Sequence, residues 1–254
     1  MTYQLVVIGA SYGGFDALKV VLGGLPATFP IPVVVVQHQG AGSTELAALL
    51  QRYTPLVVIE VEDKDQLCRG CVHLAPPGYH LLVDAEGLAL SVDAPVVYAR
   101  PSIDVLLDSA ADVYGSSTIG VILTGTGRDG AAGLAHIKER GGVTIVQDPA
   151  TALRRMMPDA ALASSRVDWM LPLEEIAGRL VALCGGADRD VLAPRPPYHG
   201  APASPRPPLP QGERRSKEPS GSPSPARRAV GIEGPRGRPE RGSGGEGSLP
   251  GMRI

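Results

Sequence analysis

Leu5-Val6-Val7-Ile8-Gly9-Ala10-Ser11-Tyr12-Gly13-Gly14-Phe15 opens with an apolar β-like run, passes a serine framed by small residues, and enters a helical pattern. Such a segment is a sharp strand-to-helix turn that lifts one hydroxyl above a sheet edge. Gly9, Gly13 and Gly14 admit the torsions of that turn and the close approach of a carbonyl substrate. The serine also lies at a helix N-terminus, where free N–H groups favour developing negative charge. Similar junctions recur downstream: Gln37-His38 follows a second apolar run, and Thr124-Gly125-Thr126-Gly127-Arg128-Asp129-Gly130 follows a third.

Working outward, β-rich runs are expected at 5–8, 32–36, 57–59, 72–74, 120–123, 143–146 and 169–171. Several are continuous rather than alternating, as in parallel strands buried on both faces. Amphipathic segments at 15–22, 44–50, 103–113, 130–139 and 174–183 fall between them. Ser102 is the expected N-cap of the third, with Asp104 in its first turn. Residues 79–83 and 88–92, joined by Asp84-Ala85-Glu86-Gly87, predict an antiparallel hairpin. The fold class is therefore α/β: a doubly wound, mostly parallel sheet with helices on both faces and a small hairpin insert. Ligands of such sheets bind beyond the carboxyl ends of the strands, where Ser11, His38 and Asp129 all fall.

Composition divides the chain. Fourteen of its 25 prolines lie in residues 192–254, a stretch rich in Gly, Ser and Arg without hydrophobic periodicity. It cannot bury enough apolar area to offset chain entropy, so residues 191–254 are expected to be a disordered tail and residues 1–190 the folded domain. The tail from Leu192 carries a formal charge of +6 and the rest −8, which together make the net −2. An acidic body argues against a nucleic-acid partner. No run approaches the length of a membrane span and no signal peptide opens the chain, so the expected location is cytoplasmic. Cys68, Cys71 and Cys184 fit a reducing compartment. Cys68-Arg69-Gly70-Cys71 has C-x-x-C spacing without a second pair to complete a zinc site, and is read as a turn before a strand.

The chemistry legible in these residues is nucleophilic. Ser11 needs a base, His38 can supply it, and Asp129 can hold the other imidazole nitrogen. The N–H groups of Tyr12 and Thr126 are the expected oxyanion hole. This scheme requires no metal and no cofactor. Gly9-Ala10-Ser11-Tyr12-Gly13 also satisfies the G-x-S-x-G elbow of α/β-hydrolases, but those enzymes order the triad Ser, acid, His, whereas here the histidine precedes the acid. Dinucleotide binding fits poorly, since the glycine spacing differs and the second strand ends in Gln37-His38 rather than a ribose-binding acid.

These segments resemble the catalytic domain of chemotaxis-type (CheB-like) protein-glutamate methylesterases. The likeness runs from Leu5 to Leu183 through the three segments above, Ala75-Pro76-Pro77-Gly78-Tyr79-His80-Leu81, Arg100-Pro101-Ser102-Ile103-Asp104 and Gln147-Asp148-Pro149-Ala150. It implies hydrolysis of glutamate γ-methyl esters on chemoreceptor cytoplasmic helices, with deamidation of glutamines as a second activity. It assigns Ser11 as nucleophile, His38 as base and Asp129 as orienting carboxylate, and places His80 and Arg100 near enough to contact substrate. The chain departs from the family pattern at Tyr12, whose bulk is expected to narrow substrate access. It departs also at Gln39 and Thr126, where methionine is common, and at Arg155, where a small residue is usual. The receiver domain frequent in the family finds no room before residue 5, so regulation is expected to come from a separate partner or to be absent.

Overall fold

The computed structural model describes residues 2–39 and 45–185. The expected tail, 191–254, and the first residue of the expected helix at 44–50 lie outside them. Seven parallel strands form the sheet: β1 (Leu5–Ala10), β2 (Val33–Gln37), β3 (Val57–Glu60), β4 (Cys71–Leu74), β7 (Thr118–Ile122), β8 (Val143–Gln147) and β9 (Trp169–Leu171). Their spatial order is β3-β4-β2-β1-β7-β8-β9. β5 (His80–Asp84) and β6 (Gly87–Ser91) pair antiparallel as a separate hairpin. The chain thus winds outward from β1 in one direction, then returns to β1's other side and winds the opposite way. The doubly wound expectation holds, with its switch point at β1.

Both faces are covered because side chains alternate along each strand. Val6, Ile8 and Ala10 of β1 join Val33 and Val35 of β2 in one apolar layer. That layer is closed by α1 (Gly14–Gly23), α2 (Leu46–Gln51) and α6 (Leu173–Cys184). Leu5 and Val7 join Val34 and Val36 in the other, closed by α3 (Ile103–Tyr114), α4 (Ala131–Glu139), α5 (Met156–Ser164) and the hairpin. α1 shows the logic: Ala17, Leu18, Val21 and Leu22 recur at three- and four-residue spacing and are all buried. Each of the leucine and valine side chains stabilises the fold by roughly 1.5–3 kcal/mol when fully buried.

Helix α5 is absent from the sequence reading. Its segment, Met156-Met157-Pro158-Asp159-Ala160-Ala161-Leu162-Ala163-Ser164, has little amphipathic period and carries a proline. Pro158 sits in the first turn, where no intrahelical N–H bond is lost. Packing of Met157 and Ala161 against the second layer holds the helix instead.

Candidate active site

Ser11, His38 and Asp129 follow β1, β2 and β7, three adjacent strands at the centre of the sheet, so the topology converges them. Ser11 Oγ lies 3.1 Å from His38 Nδ1, and His38 Nε2 lies 2.8 Å from Asp129 Oδ2. Asp129 can only accept here, so Nε2 carries the ring proton and the Ser11 hydroxyl donates to Nδ1. The two ring nitrogens exchange the roles they have in trypsin-like triads.

The backbone explains the placement of the serine. Ser11 N–H donates to the Thr124 carbonyl at 3.0 Å, and Gly14 N–H turns back to the Ser11 carbonyl at 2.9 Å. Gly13 caps α1 at φ 79°, the left-handed region that a side chain disfavours. Gly125 is a matter of space: a Cβ there would stand 2.8 Å from Ser11 Cβ and 2.0 Å from Met157 Sδ. Gln37, buried at the end of β2, donates from Nε2 to the carbonyls of Ser11 (2.7 Å) and His38 (2.9 Å), tying the serine turn to the histidine. Thr124 Oγ1 bonds to the Tyr12 and Arg154 carbonyls, fixing the serine turn against the loop before α5. The sequence reading assigned no such role to Gln37 or Thr124, because such bonds become visible only once the strands are adjacent.

Asp129 is almost fully buried and holds four hydrogen bonds. Besides His38, it accepts from Ser102 Oγ (2.9 Å), Ile103 N–H (2.8 Å) and Asp104 N–H (2.9 Å). Ser102 stands at the N-cap position of α3 with extended torsions, as expected, but its side chain makes no cap bond to the helix. The Asp129 carboxylate caps the helix from another segment, and Ser102 donates to it. An anion at a helix N-terminus is favoured by the unpaired N–H groups and the dipole. Burial pushes the Asp129 pKa up, but the bonds from His38, Asp104, Ile103 and Ser102 outweigh it and hold it below the ordinary value. Asp104 shows the reverse. Its burial, opposed by a bond from Gly133 N–H and reinforced by the Asp129 and Asp108 charges, raises it to about 6.

The cavity above the serine encloses about 290 Å³ and is lined by Ser11, His38, Val97–Ala99 and Thr126–Asp129. Neither Tyr12 N–H nor Thr126 N–H has a hydrogen-bond partner among the described residues. The Tyr12 side chain is more than half exposed, lies under Arg154 (4.9 Å from ring centroid to guanidinium carbon) and does not line the cavity. Its expected narrowing of substrate access is corrected accordingly. His80 also departs from expectation. It is 1% exposed, its Nε2 faces the Ala94 carbonyl at 3.1 Å, and its Nδ1 accepts from Ser102 N–H at 3.2 Å. One ring nitrogen is thus engaged by the Ala94 carbonyl and the other by Ser102 N–H, so the buried imidazole braces the segment that cradles Asp129. Arg100 borders a neighbouring hollow with His38 and Gln39, and its Nη1 is held by the Val92 and Asp93 carbonyls. Asp148 caps its own turn by accepting from Ala150 N–H. Cys68 and Cys71 flank the expected turn before β4 and are joined in a disulfide, where the sequence reading took the cysteines to fit a reducing compartment.

An open α/β sheet with a Ser–His–Asp hydrogen-bond chain at the carboxyl ends of its central strands defines a hydrolase. Residues 6–180 match the family model described as CheB methylesterase. A putative protein-glutamate methylesterase/protein-glutamine glutaminase of Leptospira interrogans is 45% identical over 185 residues, covering 72% of this chain and 96% of that protein. Protein-glutamate methylesterase FrzG of Myxococcus xanthus is 45% identical over 181 residues, 70% of this chain but 54% of its own length. The crystal structure of the Thermotoga maritima CheB methylesterase catalytic domain superposes with a TM-score of 0.70 at 37% identity, covering 72% of this chain and all of that one. The chain belongs to the CheB methylesterase family.

Proposed function

We propose that this hydrolase removes methyl groups from glutamate γ-methyl esters of chemoreceptor-type signalling proteins, with deamidation of glutamine as a second activity, and that Ser11, His38 and Asp129 carry the reaction. The observation that carries the reading is the unbroken hydrogen-bond chain from Ser11 Oγ through His38 to Asp129. Ser11 Oγ attacks the ester carbonyl as His38 Nδ1 takes its proton. The imidazolium is stabilised by the buried Asp129 carboxylate, and the oxyanion is received by the free N–H groups of Tyr12 and Thr126. Collapse expels methanol, protonated by His38, and leaves an acyl-serine. Water then attacks that ester with His38 again as base, releasing glutamate. With a glutamine substrate the same cycle expels ammonia.

The cavity suits a single side chain presented by a protein surface. It is shallow, and Tyr98 and Arg128 stand exposed at its mouth. Arg128 and the neighbouring Arg100 match an acidic partner such as a glutamate-bearing receptor helix. No described helix is long and apolar enough to cross a membrane. The reading places the enzyme in the cytoplasm, where those helices lie. The test is methanol release from radiolabelled methylated receptor membranes by the wild-type chain and by Ser11→Ala. The variant should lose turnover while keeping its thermal melt. Equal methanol release by both would overturn the serine mechanism, and none by either would overturn the substrate.

A further inference from the structure

Cys68, Cys71 and His73 gather at the amino end of β4, the opposite edge of the sheet from the triad. Cys71 and His73 stand two residues apart on the strand and so share a face. The turn before β4, with Gly70 at φ 69°, folds Cys68 back over that face. Cys68 N–H donates to His73 Nε2 at 3.2 Å, and Cys68 Sγ lies 3.6 Å from the same nitrogen. His73 is 1% exposed, and its Nδ1 has no partner among the described residues. A disulfide needs no imidazole beside it, and a strand buried on both faces is better filled by an aliphatic residue. A buried histidine aimed into a C-x-x-C turn is a ligand arrangement.

We propose that, with its disulfide reduced, the Cys68/Cys71/His73 cluster binds a thiophilic divalent cation of the Zn²⁺ class through two thiolates and one imidazole. The distances suit this. With Zn–S near 2.3 Å and Zn–N near 2.0 Å, tetrahedral ligand atoms are roughly 3.5–3.8 Å apart. The Cys68 Sγ to His73 Nε2 distance of 3.6 Å already has that span, and all three ligand atoms lie within 4.8 Å of one another. The two sulfurs must separate to reach it. Reduction by an external dithiol gives each sulfur one electron and one proton and leaves the reductant as a disulfide. The cation then displaces both protons and takes the Nε2 lone pair in place of the Cys68 N–H bond. Cys68 is half-buried and Arg69 exposed, so the fourth position opens to water. Disulfide and metal are mutually exclusive states of one turn.

The full chain, reduced with a phosphine and kept anaerobic, is titrated with Co²⁺ and followed by its thiolate-to-cobalt absorption. Expected is one equivalent bound, displaced by Zn²⁺, with about two protons released per metal at a pH where the free thiols are protonated. The oxidised chain should bind at least tenfold more weakly, as should Cys68→Ser and His73→Val. Should His73→Val fail to fold, Cys68→Ser at its half-buried turn and the oxidised wild type carry the test. Binding of less than a tenth of an equivalent, or equal binding by the reduced chain and Cys68→Ser, would overturn the site. Unchanged binding by a folded His73→Val would overturn the imidazole as ligand.

Discussion

Asp129 serves two structures with one carboxylate, orienting His38 and closing the N-terminus of α3. Asp129→Asn should therefore lose turnover and stability together. An amide cannot stabilise the imidazolium, and comparable changes in serine triads cost about 10⁴ in kcat. One of its two terminal atoms becomes a donor facing existing donors, which should cost about 1–3 kcal/mol. Turnover on a methylated receptor peptide and a denaturant melt check both parts. Turnover within tenfold of wild type would dismiss Asp129 as the orienting group. Asp104 tests the opposite sign. Its folded pKa is raised to about 6, so ionisation opposes folding above pH 6 and the penalty fades as the pH falls towards the ordinary carboxylate value. Asp104→Asn retains the acceptor for Gly133 N–H but removes the buried charge. It should raise Tm by a few degrees at pH 8 and by little or nothing at pH 4.5. A gain independent of pH would contradict the assignment. Asp129, held below its ordinary value, contributes stability present above the usual carboxylate range and lost in stronger acid.

At the scale of elements, the turn Val96–Ala99 overhangs the cavity. Val96 and Ala99 exchange both backbone bonds, and the two residues between them have positive φ: 48° at Val97 and 64° at Tyr98. Two-residue turns of that conformation favour Asn-Gly, and a β-branched residue there is strained. Replacing Val97-Tyr98 by Asn-Gly should raise Tm by a few degrees while removing the fully exposed Tyr98 ring from the site mouth. If the ring contacts substrate, KM rises several-fold with kcat little changed; an unaltered KM would assign it no part in binding. The central strands were legible because each is a short run rich in β-branched residues, and α1 because its apolar residues keep a helical period. Helix α5 was not, since tertiary packing rather than periodicity holds it. The N-cap position of Ser102 was legible, but not that Asp129, 27 residues later, takes over the N–H groups a capping serine would bond.

Taken whole, the molecule concentrates its chemistry where the winding direction changes. Strands β2, β1 and β7 are central neighbours, so each contributes one loop to the same crevice. The family match ends at residue 180 and the last helix among the described residues at Cys184. A chain cut after residue 190 thus retains every element described here and should keep its turnover and Tm. Loss of the cooperative melt would move the domain boundary into the Pro/Gly-rich segment. Selective loss of receptor association would assign that basic segment a recruiting role.

Local sequence determined the strands, most helices, the α/β class and the three side chains that meet at the strand ends, because each rests on periodicity or on a strand-end motif confined to about ten residues. Tertiary structure alone decided what surrounds them. The four bonds on Asp129, the burial of His80, the tie from Gln37 to the serine turn, and the meeting of His73 with Cys68 and Cys71 each depend on where a donor and an acceptor come to rest. For the bonds of Asp129, the tie from Gln37 to Ser11 and the bonds of His80, donor and acceptor lie 14–91 residues apart in sequence. For His73 and Cys68 the separation is five, but only the fold-back of the turn over β4 brings them together. Hydrophobic patterning specifies which face is buried; it carries no information about which polar groups will be buried beside one another.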